Sequence, residues 1–466
     1  MIFLTDNSFK LRSEITGNID DLREIADISI DSLHDGNGRK LWLFPLAGNR
    51  YDDKIQDETI LSFRDGKVYT GNIMGFIGFG NTKLSISSRF SKDSDKDYFL
   101  QYMLQQVFSI NLFDLKSSFE KENMLDITPL VFPYFLQKAL SQGLYREYTR
   151  NSYNDSRIRG ALDLPRHIKE NYPFKNGKMA YTTREFTFDN AMTQLIRHTI
   201  EFIKTDSKLG QKILTGTPEM RDAVKMIYTA TPSYRKGARN KVILYNLKPK
   251  IHPYYYEYRP LQQICIKILR NERISFGQSE KEMYGILFDG AWLWEEYLNK
   301  VFQRVGYDHP ENRTGKGKIY VFKDRKNKYG RFPDFIKDGI VADAKYKNLV
   351  RKANDMVFDN ISRDDIHQMI SYMHITHAEK GVFVNPESFS YIEYPDGITP
   401  VEMKFPIRFN MLYTSIPRVG NLDGYGGEIY IIDFNIPQHC KSEEEFRKRM
   451  RDGENALELK LKYLDC

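Results

Sequence analysis

Three residues in one short stretch have the types and spacing to do chemistry. Within Arg331–Tyr346, reading RFPDFIKDGIVADAKY, the carboxylates of Asp334 and Asp343 flank a turn, and Lys345 follows Asp343 by two positions. The Asp338-Gly339 step between two apolar runs predicts a tight β-hairpin. With those two residues as the loop, Lys337 opposes Ile340, Ile336 opposes Val341, Phe335 opposes Ala342 and Asp334 opposes Asp343. Lys345 then shares a face with Asp343. Two facing carboxylates repel unless one is protonated or a cation lies between them. Mg²⁺, with hard oxygen ligands and retained waters, resolves that repulsion. A lysine beside such an ion can orient or deprotonate an attacking water and steady charge on a phosphate. This is hydrolytic phosphodiester chemistry; the competing reading is a solvated hairpin with a charged face.

The elements that must position these residues are legible around them. A helix is predicted over Leu287–Phe302, with Leu287, Ala291, Trp294, Leu298 and Val301 on one stripe. Glu295 falls at the edge of that stripe and Glu296 points away, and a carboxylate held against apolar neighbours needs a partner. A strand is expected at Lys318–Lys323. A helix follows the hairpin at about Asp364–Ile375, where Gln368 and Tyr372 share a face. His374 and His377 have no third ligand nearby and are not read as a zinc site. The segments KGVFVNP (Lys380–Pro386), VEMKF (Val401–Phe405) and EIYIIDFN (Glu428–Asn435) read as strands, and the charged end of the chain as a helix.

The pattern Pro-Asp, spacer, Asp/Glu-x-Lys on paired strands resembles the nuclease core of the PD-(D/E)xK superfamily. Joined to LWEEYL at Leu293–Leu298 and DDIHQMISYM at Asp364–Met373, it resembles more narrowly the McrC family. That family supplies the nuclease subunit of McrBC-type, 5-methylcytosine-specific restriction systems and their LlaJI-like relatives. GLYREY at Gly143–Tyr148, RIRGALDLPRHI at Arg157–Ile168 and REFTFDNAMTQLIRHTI at Arg184–Ile200 carry the same resemblance. It implies a multidomain α/β (α+β) protein with a C-terminal PD-(D/E)xK restriction-endonuclease-like core. It also implies that Asp334, Asp343 and Glu295 hold Mg²⁺, with Mn²⁺ able to substitute, while Lys345 positions or activates water. Gln368 and Tyr372, a Q-x-x-x-Y spacing similar to that of RecB-like nucleases, would support the site and contact DNA. The implied partners are DNA and an McrB-like AAA+ GTPase subunit. The chain has no G-x-x-x-x-G-K-S/T of its own, so GTP would act only through that partner.

Length and composition bound the rest. At 466 residues the chain suggests two or three domains. A net charge of +7 is compatible with a nucleic-acid partner without requiring one. Three scattered cysteines, Cys265, Cys440 and Cys466, indicate neither a disulfide framework nor a zinc cluster, which fits the cytoplasm. No apolar run is long enough to span a bilayer, so no membrane partner is expected.

The expected ranges are a β-rich N-terminal domain over 1–97, involved in partner docking, and a mostly helical middle domain over 98–280. The nuclease domain follows over 281–440 and a charged helical tail over 441–466. The glycines of Gly71–Gly80 read as a glycine-loosened hairpin rather than a phosphate loop. Asp189 is the expected cap of a helix carrying Met192, Leu195, Ile196, Thr199 and Ile203. Thr205–Arg239 reads as loop-rich, and the Arg157/Arg159 cluster as salt-bridged structure rather than a phosphate contact. The tyrosines of HPYYYEYRP read as packing rather than base stacking. Two rival functions remain open at this stage: a stand-alone RecB-like nuclease for DNA repair or processing, and a non-catalytic adapter that stimulates a partner NTPase.

Overall fold

Leu287, expected to open the helix that runs to Phe302, lies with Phe288 in a strand instead, Met283–Asp289, in the computed structural model of the chain. The reason is local. Asp289 caps the following helix, Gly290–Arg304, accepting from the backbone N–H of Ala291 at 2.9 Å and of Trp292 at 3.2 Å, so helical geometry cannot begin earlier. Leu287 and Phe288 therefore belong to a sheet, and the buried helical face is Trp294, Leu298 and Val301 with Tyr297 and Phe302.

The structure describes residues 1–15, 18–26, 40–45, 59–79, 82–91, 97–108, 128–206, 210–270, 283–310, 317–322, 330–347, 350–353, 356–359, 361–388, 418–422 and 426–465. The expected strand at Val401–Phe405 lies outside them. The chain divides into two units, Met1–Asn123 with Ser275–Cys466, and Met124–Ile274. The helix Tyr98–Phe108, assigned from the sequence to the middle region, belongs to the first unit.

In the first unit one five-stranded sheet has the order Ile2–Thr5, Thr82–Ser87, Ile73–Phe79, Met283–Asp289, Lys40–Phe44. The strand Met283–Asp289 thus inserts between N-terminal strands, antiparallel to Ile73–Phe79 and parallel to Lys40–Phe44. Two glycines permit the close backbone approach. A Cβ at Gly75, where φ is +133°, would lie 2.2 Å from the Ile286 carbonyl oxygen, and one at Gly285 2.1 Å from that of Phe76. The glycine-rich stretch is therefore the central strand, and it pairs antiparallel with the next strand, Thr82–Ser87, as the hairpin reading expects.

A second five-stranded sheet has the order Phe335–Lys337, Ile340–Ala344, Lys380–Glu387, Glu428–Asn435, Arg418–Asn421. Its three inner strands are parallel, and a hairpin supplies one edge. Val341, Phe383, Ile429 and Ile431 bury one face against Met369, Tyr372 and Met373 of the helix Arg363–Thr376. Helices Gly290–Arg304 and Glu443–Leu464 lie on the other face, where Trp294 donates to the Val384 carbonyl at 3.3 Å and packs edge-on to Phe434. The charged end of the chain is thus an integral helix with a buried stripe, Phe446, Met450, Leu457, Leu461 and Leu464. Its buried Glu454 is satisfied by the hydroxyls of Tyr102 at 2.8 Å and Tyr297 at 2.9 Å and by Arg304 at 2.8 Å.

The second unit is helical but also contains an antiparallel sheet of Glu147–Asp155, Met179–Thr187 and Ala161–Leu162. The Thr205–Arg239 region, expected to be loop, carries helices Gly210–Thr215 and Pro218–Ala230. Thr217 caps the second, accepting from Met220 N–H at 3.1 Å, and Pro218 sits in its first turn, where a missing N–H costs nothing. The Thr-Pro step starts a helix here rather than a turn. Asn190, not Asp189, caps the helix Ala191–Asp206, accepting from Met192 N–H at 3.0 Å. Arg159 and Arg166 bond to Asp155 and Asp163, as a structural reading expects. None of the described helices is long and apolar enough to cross a membrane.

Replacing Gly75 by alanine should destabilise the first unit by about 2 kcal/mol or more, because the added carbon meets backbone rather than a movable side chain. Denaturant unfolding measures this, and an unchanged midpoint would contradict the strand insertion.

Candidate active site

The hairpin positions the site. Gly339 takes φ of +74° at the turn, and the register pairs Lys337 with Ile340, Ile336 with Val341 and Phe335 with Ala342, as the Asp-Gly step predicts. The expected fourth pair, Asp334 with Asp343, is not formed. Asp334 sits at a bend after Pro333, which has no N–H to give a ladder. Its Oδ2 instead accepts from the Ala344 backbone N–H at 2.7 Å. The Asp334 carboxylate is therefore held at the Asp343-Ala344 peptide by a side-chain bond rather than by strand pairing, close enough for the Asp343 charge to act on it.

Asp343, 3% exposed, projects toward the helix Arg363–Thr376. Lys345 stands on the same side, its Nζ 2.6 Å from Asp343 Oδ2. The ammonium also donates to Gln368 Oε1 at 2.8 Å and lies 3.4 Å from Asp365 Oδ1. Gln368 in turn donates to the Tyr372 hydroxyl at 2.5 Å, and that hydroxyl donates to the Phe332 carbonyl at 2.9 Å. The i, i+4 pair thus ties the lysine to the segment that carries Asp334. Tyr346 faces the opposite way, its hydroxyl 2.7 Å from Ser88 Oγ and its ring 5.0 Å from that of Phe90, so the N-terminal sheet holds the end of the site strand.

Glu295 approaches from the helix Gly290–Arg304. Its Oε1 lies 3.6 Å from Nε2 of His309, whose Nδ1 donates to the Asp334 carbonyl at 2.6 Å. Glu296 is turned away and accepts from Trp292 Nε1 at 3.1 Å. The helical phase read from the sequence therefore separates these two glutamates correctly, although the helix begins three residues later than expected.

The electrostatics are lopsided. Burial pushes the Asp334 carboxyl well above the usual range, and the negative charges of Glu295 and Asp343 push it further. Burial works to lower the Lys345 pKa, but Asp343, followed by Asp365 and Asp334, outweighs it and holds the ammonium protonated. Asp365 is lowered despite its burial by bonds from Lys347 at 2.5 Å and Ser362 at 2.6 Å. Asp365, Lys347 and His309 were not foreseen. Asp365 reads in sequence as a helix-start residue, a role it also fills through a capping box with Ser362. His309 precedes the hairpin by a segment whose length carries no spacing rule.

Among the described residues no three His, Cys, Asp or Glu side chains converge closely enough to enclose an ion by themselves. Asp334 and Asp343 supply hard oxygen donors, and repulsion among Asp334, Asp343 and Glu295 is what a cation would relieve. That donor set suits Mg²⁺, which is characteristically held by one or two carboxylates and keeps several waters.

A family model described as the McrBC 5-methylcytosine restriction system component matches residues 68–386. The match spans more than half of the chain and both the hairpin and the helix that packs on it, so the chain belongs to that family. No curated protein matches it in sequence. Two solved structures are similar at low identity. The first is a refined half-complex from a tetradecameric assembly of Thermococcus gammatolerans McrB AAA+ hexamers with bound McrC, 17% identical, covering 96% of this chain and 99% of that one, with a TM-score of 0.40. The second is the cryo-EM structure of the Thermococcus gammatolerans McrBC complex, 16% identical, covering 65% and 87%, with a TM-score of 0.26.

The Tyr372 hydroxyl both accepts from Gln368 and donates to Phe332, so Tyr372→Phe should cost about 1–3 kcal/mol, the penalty for leaving a buried polar group unpaired. Equilibrium unfolding reads this directly; a neutral substitution would show that the hydroxyl does not brace the segment.

Proposed function

We propose that the chain is the DNA-cleaving subunit of its restriction system, a Mg²⁺-dependent endonuclease with a PD-(D/E)xK core that works with an McrB-like AAA+ GTPase. The observation that carries this reading is the junction of Asp334, Asp343 and Lys345 on one hairpin, with the ammonium bonded to Gln368 of the next helix. The rival reading as an adapter gives no reason to hold three carboxylates around one buried lysine, an arrangement that costs folding free energy.

Asp334 and Asp343 would hold the cation, with Glu295 beside them; when bound, the ion supplies Lewis-acid polarisation of a phosphate oxygen and a more acidic water. The chain's own residues divide the remaining work. Lys345, whose ammonium form its carboxylate neighbours favour, is placed to position or activate the attacking water. It would also stabilise charge gathering on the phosphate, a role that needs a fixed position. Gln368 and Tyr372 fix that position through their chain of bonds to Lys345 and Phe332. His309 holds the Asp334 backbone and stands beside Glu295, which keeps the third carboxylate turned toward the site.

Asp343→Ala or Lys345→Ala should reduce cleavage of methylated DNA by at least ~10²-fold, in line with losing a positioned electrostatic group. The same variants should still stimulate GTP hydrolysis by the partner ring. Glu295→Gln should impair cleavage and Glu296→Gln should leave it near normal, since only Glu295 faces Asp334. Normal cutting by Asp343→Ala would sink the site assignment, and cutting indifferent to any partner or nucleotide would favour a stand-alone nuclease.

Metal binding offers a readout without turnover. Ligand binding to the folded state alone stabilises by RT ln(1 + [L]/Kd), about 2.7 kcal/mol at a hundredfold excess over Kd. Mn²⁺ or Mg²⁺ should raise the melting temperature of the intact chain and fail to raise that of Asp334→Ala/Asp343→Ala. Equal shifts in both proteins would place the ion elsewhere.

A further inference from the structure

The second unit presents a face that the chemistry above does not use. In its antiparallel sheet Tyr148 stands opposite Phe186 and Arg150 opposite Arg184, and strand alternation puts all four on one side. Like charges directly opposite each other on paired strands cost stability. Arg146 adds a third cation, its guanidinium 4.6 Å from the ring centre of Phe186 and 4.3 Å from that of Phe188, while Arg184 lies 4.9 Å from the ring centre of Tyr148. The Tyr148 and Phe186 rings meet at 4.9 Å and yet remain 61% and 47% exposed.

Among the described residues no carboxylate pairs with Arg146, Arg150 or Arg184. Arg146 donates to the Phe186 carbonyl at 3.4 Å and Arg150 to the Thr182 hydroxyl at 3.3 Å, both neutral acceptors at long range. The neighbouring acids are committed elsewhere. Glu147 pairs with Lys250 at 2.5 Å, and Glu185 accepts from Asn151, Tyr153 and Thr183 on the opposite face of the sheet.

A face of this kind asks for a partner that brings anions and flat apolar surface together. An acidic protein surface would satisfy the arginines and leave the rings against water or polar groups. Duplex DNA offers phosphates, but its base faces are stacked away. We propose that this face binds a single-stranded nucleic-acid segment, with Arg146, Arg150 and Arg184 on phosphates and Tyr148 and Phe186 against unpaired bases. The face belongs to the second unit and the hairpin to the first, and occupancy of the face does not depend on cleavage.

The test is anisotropy of a labelled oligothymidylate with the full-length chain in EDTA, across a salt series. Arg150→Gln/Arg184→Gln should weaken binding at least ~10-fold and lower the slope of log K against log salt by about 1.4, at roughly 0.7 for each phosphate contact on a single strand. The corresponding double lysine variant should keep the slope, which distinguishes lost charge from lost folding. Tyr148→Ala should weaken binding about fivefold or more through lost stacking, and a duplex of the same sequence should be insensitive to it. Arg150→Gln/Arg184→Gln should keep the Mn²⁺-induced rise in melting temperature of the intact chain, so failure of the metal-site reading and failure of this one are distinguishable. Unchanged affinity and slope in the glutamine variant overturn the proposal. So does intact oligonucleotide binding with loss of stimulation of the partner GTPase, which assigns the face to an acidic protein surface instead.

Discussion

One buried ammonium among carboxylates is the constraint around which the first unit is arranged. Lys345 lies 2.6 Å from Asp343 and 3.4 Å from Asp365, and both carboxylates are nearly inaccessible to solvent. Such a group is tolerated only where every neighbour is fixed, because desolvation is repaid by geometry alone. The fixing comes from several directions. Gln368 and Tyr372 hold the ammonium side through the helix Arg363–Thr376, and the Ala344 amide holds Asp334. On the far side of the strand Tyr346 is buried against Ser88 and Phe90 of the N-terminal region.

That last contact gives the N-terminal sheet a structural part in the site. The strand Met283–Asp289 enters this sheet between Ile73–Phe79 and Lys40–Phe44 and passes directly into the helix that carries Glu295. A Cβ on Gly290, the first residue of that helix, would lie 2.7 Å from the Tyr346 ring. The end of the Asp343–Lys345 strand and the start of the Glu295 helix therefore meet over one aromatic side chain. The helix Glu443–Leu464 closes the same body from its outer side through Glu454 and the Tyr102 and Tyr297 hydroxyls. A boundary drawn after the N-terminal strands would cut through this packing.

The second unit follows different physics. Its helices are amphipathic and capped by Asn190 and Thr217. Its sheet keeps one face exposed, with aromatic rings and arginines in contact. The cations that matter for structure have carboxylate partners, as Arg166 has Asp163 and Lys250 has Glu147. Arg146, Arg150 and Arg184 differ in that, among the described residues, they lie against rings and neutral acceptors rather than carboxylates.

By itself the sequence determined the hairpin and its register, since Asp338-Gly339 permits few turns and strand alternation then dictates which side chains share a face. It also determined that Glu295 rather than Glu296 faces inward, and that Gln368 and Tyr372 lie together, because both depend only on helical periodicity. Family membership was legible from motifs spread along the chain. The start of the Glu295 helix, the bend that removes Asp334 from the ladder and the insertion of Met283–Asp289 into a distant sheet were decided by the tertiary structure. So were the parts played by His309, Asp365 and Tyr346, whose partners are far away in sequence or belong to other elements. Short-range periodicity carries information about direction along one element. Which buried charge is balanced by which distant group depends on contacts that no spacing rule encodes.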